Sequence, residues 1–171
     1  MKIIEAMKRI KLNKEKIADL QTKIAANSAN LSYETPAYGD RQRAQVFEWV
    51  QSALDVGQEN IRLLVAIQRT NLATQVTIEL GGKGVTKCIA EWVWRRREYA
   101  TIDYGTWAKL TDRGLKEGSI QQSTGQMMEV KLVRQYDPAV RDAQMVMYRE
   151  EPTLIDGALE LINATTDLLE V

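Results

Sequence analysis

Isoleucine returns every seven residues at the start of this chain, at Ile3, Ile10, Ile17 and Ile24, with Ala6, Asn13, Leu20 and Asn27 between them. Alternating steps of three and four follow one narrow face of an α-helix, so the pattern predicts a helix over residues 2–28 whose seam needs a partner helix. Asn27, Ser28 and Asn30 disfavour its continuation, and Thr35-Pro36 followed by Gly39 marks a connection. The heptad reappears from about Asp40 to Asn71, with Phe47, Leu54 and Ile61 in one row and Val50, Gly57 and Leu64 in the other. No proline interrupts that stretch, and a helix of this size is about 45 Å long at ~1.5 Å per residue. The two seams are expected to pack together as a helical hairpin, each burying what the other exposes.

Gly81-Gly82-Lys83-Gly84 ends this regime, and its glycines predict a flexible linker over residues 81–84. The stretch lacks the spacing and the Gly-Lys-Ser/Thr ending of a nucleotide-binding loop. Thr86 is the expected N-cap of a third long helix over residues 86–113, carrying Ile89, Trp92, Val93, Tyr99, Ile102, Trp107 and Leu110. Beyond Gly114, the alternation of Met128, Val130 and Leu132 with polar residues predicts a strand, whose mate is Ser119 to Thr124. Asp137-Pro138 opens a last helix with proline at its first position, and Pro152 predicts a kink or short break within it. The fold class is therefore mainly α: long antiparallel helical hairpins forming a bundle, with a small β-hairpin insertion near residues 118–136. It is read as a single helical domain over 1–171, built from two related halves, 1–80 and 85–171.

The relation between halves is visible when residues 61–76 are laid over residues 153–168. Leu63 meets Ile155, Ala66 meets Ala158, Ile67 meets Leu159, Asn71 meets Asn163 and Thr74 meets Thr166. The shared Asn-x-x-Thr falls where each helix ends, and both residue types suit a helix C-terminus. Asn71, Thr74, Asn163 and Thr166 are thus expected to form a structural polar lock around an approximate twofold.

Charge and composition narrow the chemistry. The 171 residues carry 23 Lys and Arg against 23 Asp and Glu, so no global attraction gathers phosphate or anionic lipid. There is no histidine, which removes the commonest general base and metal ligand, and Cys88 stands alone. Glu150-Glu151 point to different helix faces, while Asp55 and Glu59 form a solvated pair. No catalytic residue, metal site or cofactor is expected. No apolar stretch reaches the ~20 residues of a membrane span, and no secretion signal is read at the start. The expected location is the cytoplasm, or an assembled phage particle.

The segment 92–99 has the most unusual composition, with Trp92, Trp94, Arg95, Arg96, Arg97 and Tyr99 close together. On a regular helix Trp92 and Tyr99 share a face flanked by Arg95 and Arg96. Rings beside guanidinium groups suit a protein interface, stack on nucleic-acid bases, or form core with snorkelling arginines. All three readings stay open on these residues alone.

Two strings carry a family resemblance. Ile67-Gln68-Arg69-Thr70-Asn71, followed by the glycine-rich break and by Ile89-Ala90 to Arg95-Arg96-Arg97, resembles the septicolysin-like family of small bacterial and phage-borne proteins. Asp156-x-x-Leu159-Glu160-x-x-Asn163-Ala164-x-Thr166-Asp167-Leu168 is similar to its ending, with Glu160 in place of an amide and Ala164 in place of Trp. The resemblance implies a helical hairpin bundle and no established activity. The function expected is that of a non-enzymatic structural or assembly protein acting through protein–protein contacts, self-associating or part of a larger particle such as a phage virion. Its alternatives are nucleic-acid binding through 92–99, and the membrane activity that the family name suggests.

Overall fold

The computed structural model describes residues 1–169. It is mainly helical and carries two small antiparallel β-hairpins. The chain divides into two compact units, Met1–Thr74 with Leu159–Val171, and Gln75–Ala158.

In the first unit, α1 (Ile3–Asn27) and α2 (Gln42–Ala73) run antiparallel. All eight seam positions of α1 are withdrawn from solvent, as is Ile4, and Ile3, Ala6, Ile10 and Leu20 are buried. Against them α2 sets Trp49, Val56, Leu63 and Thr70, another seven-residue row, together with Asn60 and Ala66. Asn13 Nδ2 donates to Asn60 Oδ1 at 2.9 Å, and Gln42 Nε2 donates to the Asn27 carbonyl at 2.9 Å. A buried amide pair fixes register in such a seam, because a slip leaves both groups unsatisfied. The row Phe47, Leu54 and Ile61, expected inside, faces solvent instead. Helix α2 is apolar on two opposite faces, and the face that bears Asn60 is the one that meets Asn13.

The two helices aligned in the sequence, α2 and the one closing at Thr165, end alike. Thr74 N–H bonds the Thr70 carbonyl at 2.9 Å, and Thr166 N–H bonds the Ile162 carbonyl at 2.8 Å. After Thr166 the chain pairs with residues 1–3, through Ile3 N–H to the Thr166 carbonyl and Leu168 N–H to the Met1 carbonyl.

In the second unit the glycines expected as a linker close a hairpin. Strand β1 (Gln75–Leu80) pairs with β2 (Lys83–Cys88), and Gly81 and Gly82 form the two-residue turn at φ 56° and 77°. Positive φ at both central residues matches the twist of the flanking strands, which is why glycine sits there. The third helix consequently starts later than expected. Cys88, not Thr86, is its N-cap, and its N–H is taken by the Glu91 carboxylate at 2.9 Å. That hydrogen bond holds the Glu91 carboxyl below its ordinary value.

From there α3 (Ile89–Trp94), a π turn (Arg95–Tyr99) and α4 (Ala100–Ala108) follow without interruption. The second hairpin, β3 (Gly118–Gln121) with β4 (Met127–Val130), stands where it was expected. Helix α5 (Pro138–Thr165) opens at proline, with Asp137 Oδ1 accepting Ala139 N–H at 2.8 Å, and continues unbroken through Pro152. Trp92, Ile89, Ile78, Leu80, Cys88, Ala100 and Ile155 supply the buried apolar side chains.

Candidate functional site

Trp92 is fully buried, and its indole N–H donates to the Val76 carbonyl at 3.0 Å, so this ring is core. Tyr99, expected on the same face, is 49% exposed, while Ala100 is 0% exposed. The π turn is the reason. Its wider i→i+5 winding absorbs one extra residue, so the buried face returns at Ala100 and Tyr99 is rotated outward.

Arg95 spans two carboxylates. Its Nε and Nη2 donate to Glu151 Oε1 and Oε2 at 2.7 and 2.6 Å, and its Nη1 donates to Asp103 Oδ2 at 2.6 Å. The Tyr148 ring centroid lies 5.6 Å from the guanidinium carbon. Glu151, with Asp103 behind it, raises the Arg95 pKa above its already high ordinary value. Arg96 forks onto Asp156 at 2.7 and 3.2 Å. Two of the three arginines are therefore neutralised by acids from α5, and Arg97 is the exposed one without a carboxylate partner among the described residues. Trp94 is 55% exposed and joins Lys87, Glu91, Arg95 and Tyr99 around an open depression of about 400 Å³.

A second polar cluster escaped the sequence reading. Arg134 Nε and Nη2 donate to Asp112 Oδ1 and Oδ2 at 2.8 and 2.7 Å, and the Tyr136 hydroxyl donates to Asp112 Oδ1 at 3.1 Å. Arg141 Nη1 donates to the Leu110 carbonyl at 2.9 Å and to the Tyr136 hydroxyl at 3.2 Å. Arg134 foremost, then Tyr136, holds the Asp112 carboxyl below its ordinary value. Every acidic oxygen here already accepts a hydrogen bond, so the cluster works as a clasp between the segments around residues 110, 135 and 141.

The four residues of the expected lock all belong to the first unit, but no side-chain hydrogen bond joins any two of them among the described residues. Asn71 Oδ1 is buried without a partner. The residue that ties the two chain segments is Thr70, whose Oγ1 donates to the Ala66 carbonyl at 2.8 Å and accepts Leu169 N–H at 2.9 Å.

The outer face of α2 exposes a row of large apolar side chains. Phe47, Gln51, Leu54, Gln58, Ile61, Val65, Gln68 and Leu72 follow one another at steps of four and three, and all are exposed. Phe47 at 62%, Leu54 at 60% and Leu72 at 64% lie open to water. Five exposed apolar side chains, spaced by glutamines along one stripe of this length, mark a contact surface. Among the described residues no group of three Cys, Asp or Glu side chains could hold a metal ion, and no helix is long and apolar enough to cross a membrane.

Comparison with protein-family models, curated proteins and solved structures finds no match to the chain.

Proposed function

We propose that this chain is a non-enzymatic, septicolysin-like assembly protein. It acts through protein–protein contacts, first with copies of itself and through them as part of a larger particle such as a phage virion, in the cytoplasm or within that particle. The observation that carries the reading is the outer stripe of α2. Exposing such a stripe is unfavourable at roughly 25 cal/mol per Å² of apolar surface, and association removes that term. The bundle of long antiparallel helical hairpins then belongs to the associated state. Trp94 and Tyr99, half-exposed beside Arg97, are of the residue types enriched at protein interfaces and supply a second contact area.

The nucleic-acid alternative draws less support, because Arg95 and Arg96 are already paired with carboxylates. Sedimentation equilibrium of the full chain over a wide concentration range tests the proposal. Self-association that changes little with added salt is the expected result, and a monomer at every concentration overturns it. A phosphate-binding role predicts instead a steep loss of nucleic-acid affinity with salt.

A further inference from the structure

The outer stripe of α2 is self-complementary when read backwards. We infer that its occupant is the same stripe of a second copy, running antiparallel about a twofold near Gln58 and Ile61; this inference rests on the assembly reading above. In that register Phe47 lies level with the partner's Leu72, Gln51 with the partner's Gln68, Leu54 with the partner's Val65, and Gln58 with the partner's Ile61. Phe47–Leu72 and Leu54–Val65 are apolar on both sides, and the outer glutamines face one another, Gln51 bonding Asp55 at 2.8 Å within its own helix; the two central layers set Gln58 against Ile61. The stripe runs about 38 Å at ~1.5 Å per residue, a seam long enough for knobs-into-holes packing over three heptads.

Charge selects the direction. Glu48, Asp55, Arg62 and Arg69, all exposed, form the row along one flank of the stripe, each one residue and about 100° of helix phase beyond Phe47, Leu54, Ile61 and Gln68. The row is acidic in its first half and basic in its second. A twofold perpendicular to two antiparallel helices places the same flank of each on the same side, so the row meets itself reversed. Glu48 then faces the partner's Arg69, and Asp55 faces the partner's Arg62, each pair occurring twice. A parallel twofold would instead lay these charges along the other flank, which carries Val50, Gly57, Leu64 and Asn71. Complementary potentials of this kind fix partner and register more than they add affinity.

Two charge-swapped full-length variants test the inference, Glu48→Lys with Asp55→Lys, and Arg62→Glu with Arg69→Glu. All four positions are exposed, so helicity by circular dichroism is expected to match the parent. In either variant alone all four flank contacts become repulsive, and dimer affinity by sedimentation should fall at least about tenfold. Mixing the two should restore it as a heterodimer. Variants that associate as tightly as the parent overturn the α2 seam while the assembly reading stands. Weakening without recovery on mixing overturns the antiparallel register. A parent chain that is monomeric throughout overturns both.

Discussion

Glu151 and Arg95 meet through a two-point fork at 2.7 and 2.6 Å, with the carboxylate wholly withdrawn from solvent. The guanidinium also reaches Asp103, so one side chain joins the π turn, α4 and α5. A buried pair of this kind contributes little over an apolar replacement, yet losing one partner strands a charge. Glu151→Ala should therefore destabilise the protein by about 3 kcal/mol, and Glu151→Leu combined with Arg95→Met should cost much less than the single change. Urea midpoints at constant m-value measure both, and a Glu151→Ala cost no larger than that of a surface substitution would sink the argument.

The π turn makes a second prediction. Trp92 and Ala100 are both fully buried although they stand eight residues apart, one more than a regular helix needs to return to the same face. Deleting exposed Arg97 should convert the turn to ordinary helix, keep Ala100 under the core and cost under about 1 kcal/mol. Deleting Ile102 from regular α4 should instead rotate the following residues out of phase and lose the cooperative thermal transition. Equal damage from the two deletions would show that the π turn stores no spare residue.

The Asn13–Asn60 bond lies within the α1–α2 seam. Asn60→Ala should cost about 1–3 kcal/mol, because the Asn13 amide is left without its partner. Replacing both by Leu should recover that loss while allowing the two helices to slide, as a polar pair in a seam sets register at a cost in stability. Amide exchange along α1 distinguishes the cases, since slippage lowers protection without lowering the melting temperature.

How far such features could be read from the chain depends on whether a pattern has one solution. Helix α1 has a single apolar face, so its eight seam positions were legible residue by residue. Helix α2 has two, Trp49–Val56–Leu63–Thr70 and Phe47–Leu54–Ile61, and heptad spacing alone does not say which is inside. The first hairpin was signalled by the alternation Val76, Ile78, Leu80 around a two-residue Gly-Gly, a pattern overshadowed by the glycines' use as linkers. The carboxylate partners of Arg95 and Arg96 lie far along the chain in α5, and the π turn leaves no mark in hydrophobic spacing, so the burial of Trp92 and the pairing of Arg95 and Arg96 emerge only in the tertiary structure.

Asp112 governs the last prediction. Two guanidinium hydrogen bonds from Arg134 and one from the Tyr136 hydroxyl lower its folded-state pKa, so the unfolded chain binds a proton on this group more readily than the folded chain. Its contribution to stability is therefore complete above the unfolded value near ~3.9 and disappears as pH falls through the lower folded value. Glu91 and Asp167 are depressed too, by the Cys88 N–H and by Lys2 respectively, and add to the same acid limb. Asp112→Asn should flatten, without abolishing, the loss of stability between about pH 5 and pH 2 in urea titrations. The Tyr136 ring resonances should shift with pH through that window in the parent and stay fixed in the variant. Superimposable acid limbs for the two proteins would show that the Asp112–Arg134 clasp does not persist in solution.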